Sequence, residues 1–175
     1  MSSVTVSVNG EERTVEEVPP DLRLLDLLRW RLGLRGTKEG CRTGDCGACT
    51  VLLDGQSVLS CLLLAPEADR REIVTVEGLS RSEAARKVQE AFAEAGAVQC
   101  GYCTPGFILA VHSLLREGPP EGGTWTVEDL RADLGGNLCR CTGYYGILRA
   151  LARILGEGSG TPREPSTFRR AGREG

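Results

Sequence analysis

Cysteine placement constrains this chain more than any other feature. Three thiols fall within nine residues, Cys41-Arg-Thr-Gly-Asp-Cys46-Gly-Ala-Cys49, and Cys61 follows after eleven more. A second set, Cys100-Gly-Tyr-Cys103 and Cys139-Arg-Cys141, is split by 35 residues. Eight cysteines therefore form two groups of four, with none left over. A loop holding three thiols so close together must fold around something that sulfur binds. Gly40, Gly44, Gly47 and Ala48 keep side chains away from that loop, so backbone N–H groups can approach sulfur.

The opening Met1-Ser-Ser-Val-Thr-Val-Ser-Val-Asn-Gly10 lacks a basic start with an apolar run, so no Sec signal peptide is expected. Without an oxidising compartment, disulfides are the weaker reading and metal ligation the stronger. The Cys-x4-Cys-x2-Cys opening is the plant-type spacing for a [2Fe–2S] cluster. The tight Cys139-x-Cys141 pair is unlike a zinc ribbon, whose pairs are Cys-x2-Cys. Two [2Fe–2S] clusters are thus the first reading, with structural zinc and disulfides as rivals. Backbone donors around such a cluster would stabilise its reduced state and tune its potential.

Hydropathy patterning predicts two different halves. Val4, Val6 and Val8 alternate with polar residues as a strand, Asn9-Gly10 turns it, and residues 11–18 return. Pro19-Pro20 breaks the chain, and Asp21 is expected to cap a helix carrying Leu22, Leu25, Leu28 and Leu32, with Leu24 and Leu27 widening its apolar stripe and Gly33 ending it. Residues 50–53 and 57–60 form a second hairpin around Asp54-Gly55, and residues 72–76 a last strand. From Ser80 onward only helices are expected. One is capped by the box Ser80-Arg-Ser-Glu83, buries Ala84, Val88, Ala91 and Ala95, and ends at Gly96. Another opens at Thr104-Pro105 and runs to about Arg116. A third spans 126–134 and stops at Gly135-Gly136, and the last is capped by Thr142 and runs to about Leu155. Helix N-termini beside both cysteine pairs would turn partial positive charge towards them. The fold class is α+β: an N-terminal β-grasp, ferredoxin-like domain at 1–78, then an all-α four-helix [2Fe–2S]-binding domain at 79–156. Residues 157–175, rich in Gly, Ser, Pro, Thr, Arg and Glu, read as a flexible tail.

Net charge is −3, which offers no basic face for nucleic acid, and no stretch approaches the ~18 apolar residues of a membrane span. His112 lies among Ile108, Leu109, Val111 and Leu115 and reads as a packing residue rather than a ligand. Arg140, between two ligands, is either solvated or a cation that raises the potential there. Trp30 and Trp125 read as packing or interface residues. Gly33-Leu-Arg-Gly36 and Gly135-Gly136 follow no strand of a βαβ unit and read as helix stops, not phosphate loops. No catalytic set stands apart from the cysteines, so no substrate-transforming site is expected on this chain.

Four segments in order carry a resemblance: Gly36-Thr-Lys-Glu-Gly-Cys41, Gly44-Asp-Cys-Gly-Ala-Cys-Thr-Val-Leu-Leu-Asp54, Val98-Gln-Cys-Gly-Tyr-Cys-Thr-Pro-Gly106 and Gly136-Asn-Leu-Cys-Arg-Cys-Thr-Gly-Tyr144. Over residues 3–155 the chain resembles the small iron–sulfur subunit of the molybdenum hydroxylases, a family that includes xanthine dehydrogenases, aldehyde oxidoreductases and aerobic carbon monoxide dehydrogenases. The resemblance implies one cluster on Cys41, Cys46, Cys49 and Cys61, and one on Cys100, Cys103, Cys139 and Cys141. It implies a large partner subunit with molybdopterin, approached by Gln99 and Cys141, and a medium partner subunit with FAD. It implies an oxidoreductase complex in which this chain relays single electrons from molybdenum to FAD or another acceptor. A cytoplasmic location is expected, unless a partner with an export signal carries the chain out. The alternative is a free-standing two-cluster ferredoxin-type carrier.

Overall fold

The computed structural model describes residues 2–79, 82–119 and 124–156. The Ser80 capping box falls partly, and the 157–175 tail wholly, outside the described residues.

Strands β1 (Ser2–Val8) and β2 (Glu11–Val18) form the first hairpin. Asn9 and Gly10, with φ of 54° and 82°, make the left-handed turn that suits the twist of the pair. Helix α1 (Leu24–Asp26) continues directly into a π-helical segment, Leu27–Arg31. Leu24, Leu25, Leu27 and Leu28 are all fully buried there. These positions, i, i+1, i+3 and i+4, share one helical face: Leu24, Leu27 and Leu28 enter the core of this half and Leu25 packs on Cys49 and Cys61. Asp21 does not cap this helix: the cap is Arg23, and no side chain bonds to the free amides. The segment closes at Gly33, φ 73°, with the Leu34 N–H donating to the Leu28 carbonyl at 2.8 Å.

Strands β3 (Thr50–Leu53), β4 (Gln56–Leu59) and β5 (Glu72–Val74) complete a five-stranded sheet in the order β2-β1-β5-β3-β4. The β1–β5 pair is parallel and the rest antiparallel, which is the β-grasp arrangement. The last strand ends two residues earlier than expected, because Val76 opens a short helix α2 (Val76–Leu79). β3 is buried throughout. Its side chains alternate between faces, so Val51 and Leu53 join the core under α1 while Leu52 enters the helical core on the other side. One strand thereby welds the two halves of the molecule.

The helical half contains α3 (Glu83–Glu94), α4 (Thr104–Glu117), α5 (Val127–Asp133) and α6 (Tyr145–Ile154). Three expectations shift. α3 buries Val88, Ala91 and Ala95 as expected, with Ala85 and Phe92 beside them, but Ala84 faces solvent. α4 is capped by Cys103 rather than Thr104, so a cysteine of the second set sits on the helix end itself. α6 is capped by Tyr144 at φ 67° rather than by Thr142. Thr142 instead accepts the Tyr144 N–H at 3.1 Å, holding the tight turn between Cys141 and the helix. His112 is buried, as the packing reading requires, and burial together with Arg116 holds it below its ordinary pKa.

Candidate metal centres

The first set grows out of the loop that links the leucine-rich helix to β3. Gly40 provides clearance: a Cβ there would lie 2.5 Å from Cys46 Sγ. Positive φ at Arg42 (61°) and Gly44 (88°) turns the intervening amides inward. The N–H groups of Thr43 and Asp45 then donate to Cys41 Sγ at 3.4 and 3.3 Å, and the Cys41 N–H donates to Cys46 Sγ at 3.3 Å. These donors follow the logic inferred from the small residues, but they come from Cys41, Thr43 and Asp45. Gly44 was the only sequence signal for that turn, and Arg42 gave none. Gly44 and Gly47 make room for neighbours instead: a Cβ would meet Leu62 at 2.6 Å and the Asn137 amide at 2.5 Å, respectively. Ala48 is buried beside them.

The thiols divide by electrostatics. Hydrogen bonds from the Thr43 side chain and backbone lower the Cys41 thiol to a pKa of about 6, so it is ready to ionise. Cys49 is buried against Leu25 and Cys61, and burial pushes its pKa up to about 11. In the second set, burial next to Cys139 raises Cys103 to about 12. Burial is the largest influence at Cys139 and opposes ionisation, but hydrogen bonds involving Thr142, whose hydroxyl lies at 3.1 Å, Cys141 and Cys103 together outweigh it and lower the pKa. The Tyr102 amide lowers Cys100, while Cys141 is raised by its hydrogen bond with Cys100. Each set therefore joins thiols shifted towards ionisation, Cys41 in the first and Cys100 and Cys139 in the second, to thiols whose surroundings favour the protonated form, Cys49 in the first and Cys103 and Cys141 in the second. A bound metal ion supplies a compensating charge and deprotonates a coordinating thiol outright.

The sulfurs also associate two by two. The Cys41 N–H reaches Cys46 Sγ, Cys49 packs with Cys61, Cys103 lies beside Cys139, and Cys100 and Cys141 have Sγ atoms 3.5 Å apart. All eight cysteines are free, and 3.5 Å is far beyond a disulfide bond. Among the described residues no three Cys, His, Asp or Glu side chains group as a single-ion site. Two pairs per set suit a binuclear cluster, in which each iron takes two of the four cysteines, better than one tetrahedral zinc. The residues present fit a [2Fe–2S] cluster in each set.

The two sets meet at a close seam. The Leu138 N–H donates to the Cys46 carbonyl at 3.0 Å, and Asn137 Nδ2 donates to the Gly47 carbonyl at 3.3 Å. The Tyr102 hydroxyl bonds to the Glu39 carbonyl on the same side. The second set reaches the surface: Gln99, Cys100, Arg140 and Cys141 are exposed, rimmed by exposed Val98, Tyr102, Leu138 and Tyr145.

Comparison with known proteins decides which family has this arrangement. A family model described as "2Fe-2S iron-sulfur cluster binding domain" matches residues 6–80, and one described as "[2Fe-2S] binding domain" matches residues 75–152. The nicotinate dehydrogenase small FeS subunit of Eubacterium barkeri is 46% identical over 149 residues, covering 85% of this chain and 92% of that protein. The xanthine dehydrogenase iron-sulfur-binding subunit of Escherichia coli O157:H7 is 44% identical over 149 residues, covering 85% and 91%. The chain belongs to the small [2Fe–2S] subunits of the molybdenum hydroxylase family. Among solved structures, quinoline 2-oxidoreductase from Pseudomonas putida 86 aligns with a TM-score of 0.74 and 39% identity, over 90% of this chain and 98% of that one. The molybdenum hydroxylase subunits thus share the β-grasp half followed by the helical half. Among the described residues no helix is long and apolar enough to cross a membrane.

Proposed function

We propose that this chain is the electron-relay subunit of a heteromeric molybdenum hydroxylase. The observation that carries the reading is the pair of four-thiol sets, each divided two by two and joined at one hydrogen-bonded seam. Cys41, Cys46, Cys49 and Cys61 would hold one [2Fe–2S] cluster within a domain spanning residues 1–78. Cys100, Cys103, Cys139 and Cys141 would hold the other within residues 79–156. Such clusters supply one-electron chemistry, which lets a two-electron oxidation at a molybdopterin centre be drained stepwise to FAD or another acceptor.

The chain's own residues set the conditions for that transfer. The amides of Cys41, Thr43 and Asp45 place donor dipoles on the sulfurs of the first set and favour added negative charge there. The 14-residue α4 has Cys103 as its N-cap, so its positive end rests on the second set. Leu25 shields Cys49 and Cys61 from water on one side. Gln99 and Cys141, in the exposed apolar rim, are the residues we assign to the approach of the large subunit's molybdopterin. Aromatic side chains in such a rim, here Tyr102 and Tyr145, are of the type enriched at subunit interfaces. A medium FAD subunit would receive the electrons at the first set, and the assembly would be cytoplasmic.

Purification of the intact assembly from its own host tests this reading. We expect a large molybdenum-containing chain to accompany this one through successive columns. A monomer that holds iron but brings no cofactor-bearing chain would instead make it a free-standing two-cluster carrier.

A further inference from the structure

The seam between the two cysteine sets is built with unusual economy. From Cys46 Sγ, a bonded route to Cys139 Sγ runs along the Cys46 backbone to its carbonyl, across one hydrogen bond to the Leu138 amide, and on to the next residue. Beside that bond lies Asn137, a buried polar residue 7% exposed. Its backbone N–H donates to the Leu134 carbonyl at 2.9 Å, and its side-chain amide donates to the Gly47 carbonyl. That carbonyl also accepts the Thr50 hydroxyl at 2.7 Å and the Thr50 N–H at 3.2 Å, both from the ferredoxin-like half. Among the described residues Asn137 is the donor that reaches it from the helical half. Gly106, two residues into α4 beyond Thr104, presses on the same carbonyl: a Cβ there would lie 2.3 Å from the Gly47 oxygen. Gly47 itself sits at φ 67° with no space for a side chain.

We propose that Asn137 is a positioning residue that fixes the separation of the two clusters, by tying the Cys46–Gly47 backbone to the segment that carries Cys139. The inference rests on the ligand assignment above. It adds that the separation is set by a side chain that ligates nothing. Electron tunnelling falls off exponentially with distance, and magnetic coupling between two reduced clusters falls off as its inverse cube. A small opening of the seam therefore reads out strongly in both. A buried amide whose partner lies in the other half has an incentive to keep the halves together, because separation leaves it unsatisfied.

The test uses the intact complex, fully reduced with dithionite, and electron paramagnetic resonance at low temperature. The wild type is expected to show two reduced-cluster signals with resolved splitting from their mutual coupling. Asn137→Ala is expected to retain iron and visible absorbance but to lose the resolved splitting, and to slow electron transfer between the clusters. Gly106→Ala, which forces a methyl group against the Gly47 oxygen, is expected to do the same from the other side. If both variants keep wild-type splitting with both clusters present, the proposal is overturned. Loss of a cluster in both variants would overturn it too, since the seam would then hold ligands rather than distance. A wild type without two cluster signals would instead sink the ligand assignment, a separate failure.

Discussion

Cys46→Ser is expected to remove roughly half of the bound iron and to abolish one of two reduced-cluster signals while sparing the other, because we assign one cluster to each set of four cysteines. Cys46 is a sharp choice for three reasons. Its Sγ accepts the Cys41 amide, the clearance at Gly40 exists for that sulfur, and its carbonyl carries the seam bond to Leu138. The serine variant keeps the backbone and therefore the carbonyl, so the seam survives while the thiolate is lost. Serine is a hard oxygen ligand that binds iron poorly compared with thiolate. The surviving signal should be that of the second set. Iron analysis and paramagnetic resonance on the same sample check the expectation. Loss of both signals would show that the halves do not load independently, and loss of neither would remove Cys46 from the ligand set.

The largest effect on stability is expected at Phe107. Its ring is buried in the helical core, 6.4 Å from Phe92 and 6.5 Å edge-on from Tyr144 between centroids. It stands four residues after Cys103, and its N–H bonds to the Cys103 carbonyl at 3.2 Å. Tyr144 in turn accepts the Cys139 amide at its hydroxyl, at 2.9 Å. The ring thus props both strands of the second cysteine set. Phe107→Ala should cost about 3–5 kcal/mol, the usual range for emptying a buried phenylalanine site. For a chain of this size that corresponds to a fall in melting temperature of roughly 6–20 °C. Cluster absorbance should bleach in the same transition, with the second set's signal lost first. A melting curve within about 1 kcal/mol of the wild type would mean that the site collapses around the gap and that the ring is not a prop.

Much of this was legible in the sequence, and the misses have local causes. Both tight turns were readable because Asn9-Gly10 and Asp54-Gly55 accept left-handed backbone that other residues resist. The grouping of cysteines was visible as spacing in the first loop, and the structure brings Cys41 to Cys46 and Cys100 to Cys141. Helix starts were misplaced at Asp21, Thr104 and Thr142. In each case a polar residue of the right type lay near the end, but tertiary contacts chose another cap. At Thr142 the competing demand was the second cysteine set, whose Cys139 sulfur lies 3.1 Å from that hydroxyl. The π segment could not be foreseen from a leucine stripe, which fits a regular α-helix equally well. The amide donors at Thr43 and Asp45 and the seam at Asn137 were equally hidden. The donors depend on the local backbone direction beside Cys41, and the seam on a contact 90 residues apart.

The central claim, two clusters held by two cysteine sets, is tested most directly by a redox titration of the wild-type protein followed by paramagnetic resonance. Two distinct reduced-cluster species are expected, each integrating to about one spin per chain, with iron and inorganic sulfide present in equal amounts. A single species, or a colourless protein whose thiols hold zinc, would contradict the account.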